Sequence, residues 1–163
     1  MANENTITSY KNRVIRDILH NADDSISTEI VMAINPDYVG CEDELIYRNI
    51  FPYLKIPDVQ TMKESYITMA VNMPKVSTKN YFFKDMLITI NVLVHEDCMK
   101  MDDGYSSTRA DYIGERINRI FNQNRNYGTV ALEVVSDEES IVLNKYFMRS
   151  MRFRCNEMNT VRC

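Results

Sequence analysis

The pattern of apolar and polar residues between positions 86 and 155 predicts a strand, a helix and two further strands. Residues 86–95 (MLITINVLVH) alternate with a period of two, which is typical of a half-buried strand. Residues 108–122 change to helical spacing, with apolar side chains at positions i, i+4, i+7 and i+8. Residues 129–136 and 145–155 are the two further strand candidates. This segment therefore predicts a sheet with one helix across it.

The N-terminal region predicts two helices. Residues 5–21 have an apolar face, and Thr6 or Thr8 can serve as the N-cap. Residues 23–35 repeat the helical spacing and end before Pro36, since proline disfavours helix in the residue ahead of it. We expect this part of the chain to be helical.

The segment between these two regions predicts a short third helix and another strand. Residues 42–51 begin with three carboxylates, which suit a helix N-terminus. Pro52 and Pro57 then impose an extended segment. Residues 65–73 alternate again, and Pro74 ends the predicted strand.

Grouped helices followed by grouped strands predict an α+β fold rather than a strict βαβ alternation. We expect a mostly antiparallel sheet of about four strands, with one helix packed across it and extra N-terminal helices. No internal repeat or change in composition marks a second domain, so residues 1–163 are predicted to form one domain. Within it, residues 1–44 form a helical N-terminal region, 45–155 the α+β core and 156–163 a tail.

Composition favours a soluble intracellular protein. The 45% apolar content is enough for a folded core. No apolar run reaches the ~18 residues of a membrane helix, so no membrane partner is expected. The first residues (MANENTITSYKNR) lack the charged and apolar segments of a signal peptide.

The distribution of charge fits self-association at least as well as binding to a polyanion. The net charge of −4 argues against a nucleic acid as the main partner, because phosphate binding needs a concentrated basic face. Residues 22–44 and 96–103 are acidic, whereas residues 109–125 and 145–162 are basic. Patches of opposite sign can meet between two copies of the chain.

Cysteine and histidine residues predict neither a metal site nor a cofactor. The four cysteines form no CxxC pair, and the chain has only two histidines, His20 and His95. Cys98 lies near His95 in sequence, but no oxyanion-hole motif accompanies them. We therefore predict four free thiols in a reducing compartment.

The predicted helix 108–122 carries the strongest candidate for enzymatic chemistry. Asp111 and Glu115 are spaced i, i+4, and such a pair of carboxylates can coordinate magnesium for a nuclease reaction. The favoured interpretation is a helix cap formed by Thr108 and Asp111. Gly114 in the middle of this helix predicts the close approach of another element.

The predicted strand 145–155 contains the only stretch that combines basic and aromatic residues. Its alternation places Phe147, Met151, Phe153 and Cys155 on one face with Arg149, and Tyr146 and Met148 on the other face with Arg152 and Arg154. Such a face can stack nucleic-acid bases. Pairing with acidic residues of a neighbouring subunit is the favoured interpretation.

The order of these elements resembles small neck proteins of tailed bacteriophages, the tail terminator or tail-completion family and related head–tail connector proteins. The segments that carry the resemblance are ITINVLVHEDCMKMDDGYSS, TRADYIGERI and ALEVVSDEESIVLNKYFMRSMRFRC, preceded by LIYRNIFPYLKIPDVQTMKESYITMAVNM. Together they cover residues 45–155. The long acidic N-terminal helical region departs from the shortest members of the family.

The resemblance implies a non-enzymatic virion protein that forms a ring, usually of six subunits, between the connector and the tail tube. Its partners would be other copies of itself, neck or connector and tail-tube proteins, and genomic DNA that passes through a channel without sequence-specific binding. It would assemble in the host cytoplasm and reside in the virion neck. The candidate interaction surface consists of Glu96, Asp97, Asp102, Asp103, Arg149, Arg152 and Arg154.

Two other functions are compatible with the sequence. One is a small nucleic-acid-binding or magnesium-dependent nuclease-like protein that uses Asp111, Glu115 and the arginines of the predicted strand 145–155. The other is an adaptor that binds a different protein and stays monomeric at all working concentrations.

Overall fold

A computed structural model describes residues 6–37, 40–58, 63–73, 83–102 and 104–158. Three α-helices and five strands lie in these residues. The helices are α1 (Ile7–Leu19), α2 (Asp24–Ile34) and α3 (Arg109–Phe121). The strands are β1 (Ile50–Phe51), β2 (Ser65–Asn72), β3 (Phe83–His95), β4 (Glu133–Val142) and β5 (Tyr146–Met158).

The five strands form one sheet in the order β1-β2-β3-β5-β4. Every neighbouring pair is antiparallel except β1 and β2, which run parallel. The predicted single-domain α+β fold with a mostly antiparallel sheet is therefore confirmed. The sheet has one strand more than predicted, since the two-residue β1 joins its edge.

The main core lies between the helices and one face of the sheet. Alternate side chains of β2, β3 and β5 are fully buried there, and α3 buries an apolar stripe against them. These inward side chains are Ile67, Met69, Ile88, Ile90, Val92, Val94, Met151 and Phe153. The faces predicted for β3 and β5 are thus confirmed.

A smaller apolar cluster lies on the opposite face of the sheet. Phe51, Tyr66, Leu93 and Tyr146 are buried in it. Tyr66 links the other two rings, with ring centroids 6.2 Å from Phe51 and 6.2 Å from Tyr146. This cluster anchors the short edge strand β1 to the centre of the sheet.

Side-chain caps fix where the helices begin. Thr6, rather than Thr8, forms a capping box with Ser9 at the start of α1. Thr108 and Asp111 form a second capping box at the start of α3, as predicted. α2 ends one residue earlier than predicted, with Asn35 as its C-cap. None of the described helices is long and apolar enough to span a membrane.

The third helix predicted over residues 42–51 is wrong. Only Glu42–Leu45 forms a short 3₁₀ helix, and Ile50–Phe51 pairs with β2 as β1. The buried Asn49 explains the difference, because its side-chain Nδ2 donates to the backbone oxygen of Ser65 at 3.0 Å and its backbone oxygen accepts from the N–H of Ile67. Pairing with β2 satisfies these polar groups and overrides the local helical pattern.

The strand predicted over residues 129–136 is displaced. β4 begins at Glu133 and continues to Val142, where a turn leads into β5. Leu143 and Asn144 in this turn have positive φ values of 54° and 60°. The acidic residues in the middle of β4 carry no strand signal in the sequence. These residues lie at an exposed edge of the sheet, where a strand does not need alternating apolar side chains. β3 begins three residues earlier than predicted, whereas β5 begins one residue later and ends three residues later.

Candidate interaction surface

The acidic loop, residues 96–103, follows β3, and its first two carboxylates form ion pairs within the chain. Glu96 and Asp97 lie in a short 3₁₀ turn, where the backbone N–H of Asp97 donates to Nδ1 of the buried His95 at 3.2 Å. Glu96 forms an ion pair with Lys145 at 3.8 Å, and Asp97 forms one with Lys63 at 3.0 Å. The hydrogen bond from Lys63 holds the pKa of the Asp97 carboxyl below its ordinary value.

Arg109 holds this loop against α2. Its guanidinium donates to the backbone oxygens of Cys98 and Ala33, each at 2.7 Å, and to that of Lys100 at 3.2 Å. Only 8% of Arg109 is exposed. Sequence reasoning missed this residue. A cation in the first turn of a helix is unfavourable, because it opposes the helix dipole. The position of Arg109 in the first turn of α3 was therefore the one sequence signal of its structural role.

The remaining acidic candidates lie beyond this anchor. Asp102 is exposed and, with Arg109, lines a cavity of about 270 Å³ beside the end of α2. Asp103 lies outside the described residues. The acidic loop therefore presents paired carboxylates near the sheet and an exposed carboxylate at Asp102.

Arg149 lies on the helical face of the sheet and binds carboxylates of the same chain. Its Nε and Nη2 atoms donate to the two carboxylate oxygens of Asp137 at 2.8 and 2.6 Å. Its Nη1 atom lies 3.5 Å from a carboxylate oxygen of Asp111. Only 15% of the side chain is exposed. This two-pronged bond joins β4 and β5 to the first turn of α3.

Gly114 makes room for this arginine. A Cβ atom at Gly114 would lie 2.7 Å from Cδ and 2.9 Å from Nε of Arg149. The close approach predicted at this glycine is therefore confirmed, and the approaching group is the Arg149 side chain.

The carboxyl of Asp111 takes part in the N-terminal cap of α3 and also contacts residues of β4 and β5. Burial alone would raise its pKa, but hydrogen bonds from Ser107 and Thr108 outweigh this and lower the pKa below its ordinary value. A hydrogen bond with Asp111 raises the pKa of the Glu139 carboxyl. The cap predicted for Asp111 is present, and the carboxylate also belongs to the cluster around Arg149.

Glu115, the other half of the magnesium hypothesis, contacts different groups. Its carboxylate accepts from the Tyr105 hydroxyl at 2.9 Å and lies 3.5 Å from Nη1 of Arg116. Among the described residues, no three His, Cys, Asp or Glu side chains are grouped so that they can hold a metal ion.

Arg152 and Arg154 lie on the opposite face of the sheet from Arg149. Arg154 forms an ion pair with Asp85 at 2.8 Å, whereas Arg152 is exposed and forms no ion pair with any described residue. Phe153 points into the main core, and Tyr146 is fully buried in the smaller cluster. The basic and aromatic side chains of β5 therefore do not form an exposed platform for stacking bases.

Nine of the eleven exposed large apolar side chains in the described residues lie along two opposite edges of the sheet. β4 is one edge, and eight of its ten residues are exposed. The short β1 is the other edge, and the exposed chain beside it carries Tyr47, Tyr53, Leu54 and Ile56. Sequence reasoning missed both surfaces, since exposure at a sheet edge depends on the strand order.

A cavity of about 420 Å³ lies between α1 and the chain beside β1. Lys11, Arg16 and His20 line it from the helix, and Asp43 and Tyr47 line it from the other side. The His20 Nε2 and Asp43 Oδ1 atoms are 2.7 Å apart.

The fold and these surfaces define a small α+β protein with a long, exposed edge strand. Most of its candidate charged residues form ion pairs or hydrogen bonds within the chain. Residues 12–155 match the YomW family, and the chain belongs to this family. Membership is compatible with a protein of phage origin. No curated protein matches the chain.

Proposed function

We propose that this protein is a structural subunit of a tailed-phage virion, a tail terminator or neck protein rather than an enzyme. Copies of the chain would form a closed ring, with six subunits as the expected number, that caps the tail tube and joins it to the connector. The ring would assemble in the host cytoplasm and remain at the head–tail interface. Other neck or connector proteins and the tail-tube protein would contact its two flat sides.

The observation that carries this proposal is the exposed edge strand β4. A ten-residue strand at a sheet edge presents unpaired backbone N–H and C=O groups and invites contact with another chain. Val135 and Ile141 are 51% and 67% exposed on this strand. A protein that works through assembly needs such a surface, and burial against a neighbour removes the apolar side chains from water.

The charged side chains favour assembly over nuclease chemistry. Asp111 is used by the α3 cap and the Arg149 cluster, and Glu115 is hydrogen-bonded elsewhere. With a net charge of −4 and Glu96 and Asp97 each paired to a lysine, the chain offers little to hold the phosphate backbone. Genomic DNA would therefore pass through the ring without sequence-specific binding.

Electron microscopy of the purified, concentrated protein in negative stain tests this proposal. We expect closed rings with a central opening wide enough for duplex DNA. The nuclease alternative predicts isolated monomers instead of rings. It also predicts magnesium-dependent cleavage of DNA that is lost in Asp111→Ala. Observation of that cleavage with no rings would overturn the structural role.

A further inference from the structure

We infer that the β4 edge of one copy packs against residues 46–56 of a second copy, so that two unlike surfaces form the subunit contact. This inference rests on the proposed assembly function and specifies which surfaces meet. It commits to a second copy of this chain as the occupant of both edges.

The distribution of exposed apolar side chains identifies the two surfaces. Of the eleven large apolar side chains that are exposed in the described part of the chain, only Ile7 and Met32 lie on helices. Five lie along the β4 edge and four lie beside β1. The first set comprises Val130, Val134, Val135, Ile141 and Leu143, and the second comprises Tyr47, Tyr53, Leu54 and Ile56.

The β4 strand and residues 46–56 have formal charges of opposite sign. β4 contains four carboxylates and no lysine or arginine. Residues 46–56 contain Arg48 and Lys55 and no carboxylate. The Lys55 ammonium lies 4.1 Å from the centre of the Phe51 ring, which places this cation beside β1. An acidic apolar edge therefore finds a complementary basic apolar edge on another copy.

Charge also disfavours contact between two β4 strands. Pairing β4 with itself would bring the Glu133, Asp137, Glu138 and Glu139 carboxylates of both copies together at one interface. Like charges opposite each other destabilise a strand pair. Of these four carboxylates, only Asp137 forms an ion pair with Arg149, whose guanidinium also approaches Asp111 on α3.

The positions of the two edges lead from a contact to a ring. β1 and β4 are the outermost strands of the sheet, so the two surfaces lie on opposite sides, roughly 19 Å apart at the usual strand spacing. A contact between unlike surfaces on opposite sides repeats from copy to copy. It closes into a ring when the rotation between neighbours permits closure.

Mixing two blocked variants tests the inference. The first carries Val135→Lys and Ile141→Lys, which place cations on the β4 edge and leave residues 46–56 intact. The second carries Leu54→Asp and Ile56→Asp, which place carboxylates beside β1 and leave β4 intact. All four side chains are at least half exposed, so the variants should fold, and circular dichroism checks this.

We expect each variant alone to be monomeric by sedimentation velocity, with self-association at least about tenfold weaker than in the unmodified chain. An equimolar mixture should form a heterodimer and nothing larger, because only one intact surface of each type remains. Dimers of the second variant alone would indicate β4 self-pairing and overturn the inference. A mixture that stays monomeric would overturn it as well.

Met32→Asp is the matched control, because Met32 is 57% exposed on α2, away from both edges. It should leave the oligomer of the unmodified chain unchanged. If the unmodified chain and both blocked variants all form rings, the inferred contact between the two edges is wrong, but the proposed assembly function stands. If the unmodified chain is monomeric at all concentrations and with tail tubes, both fail.

Discussion

At the scale of single residues, the Arg149 guanidinium connects three elements that are distant in sequence. It binds both oxygens of Asp137 on β4 and approaches Asp111 on α3, and Gly114 leaves the space through which it passes. The exposed edge strand is thereby held to the helical layer by a charge-assisted, two-pronged hydrogen bond.

Gly114→Ala tests this arrangement. Alanine is ordinarily favoured in a helix by about 1 kcal/mol, but here its Cβ would displace Arg149 and break the bond to Asp137. We expect the free energy of unfolding, measured in urea, to fall by about 1–3 kcal/mol. In an Arg149→Ala background the same change should instead raise it by about 1 kcal/mol. Stabilisation in both backgrounds would contradict the proposed role of this glycine.

Asp111 should make stability depend on pH. Its folded-state pKa is lowered, so its contribution is present above the pKa of the unfolded chain, about 3.9, and is lost as the pH falls through the folded-state value. Asp111→Asn should therefore lose less stability than the unmodified protein when the pH is lowered below about 4. Thermal unfolding across this range measures the difference. Asp37→Asn, which changes an exposed carboxylate, is the control and should keep the original profile.

The sequence could predict residue roles that depend on near neighbours. The capping pair of Thr108 and Asp111 follows from a spacing of three, and the close approach at Gly114 follows from a glycine within a helix. The partners of Arg149 and Arg109 could not be predicted, because they depend on which strands and loops become neighbours in the folded chain.

At the scale of elements, β4 and its turn show where periodicity fails. β2, β3 and β5 could be located from sequence, because apolar side chains alternate along them and point into the main core. β4 lies at the edge and is almost wholly exposed, so neither of its faces requires apolar residues. The turn into β5 has no glycine, although Leu143 and Asn144 both adopt positive φ, and it therefore gave no signal of a hairpin.

The leucine in this turn should cost stability. A left-handed conformation is unfavourable for a side chain such as that of Leu143 by about 1–2 kcal/mol, and asparagine tolerates it better. We therefore expect Leu143→Asn to raise the free energy of unfolding by about 1 kcal/mol. Leu54→Asn is the comparison, because Leu54 is similarly exposed but does not have a positive φ. Equal effects of the two changes would show that the turn conformation is not the cause.

At the scale of the whole molecule, the fold class could be predicted from the order of elements, and the interaction edges could not. Grouped helices and strands indicated the α+β fold, which the five-stranded sheet confirms. The edges depend on strand order, since β5 inserts between β3 and β4 and leaves β4 outermost. The candidate acidic and basic residues also proved less available to a partner than predicted, because several of them form ion pairs within the chain.

The central claim is that this chain works by assembling with copies of itself. Native mass spectrometry of the purified protein over a wide range of concentrations tests it most directly. The account predicts one closed oligomer, or a monomer that purified tail tubes or connectors convert into one. A strict monomer that ignores those partners and binds DNA with a steep dependence on salt would contradict it.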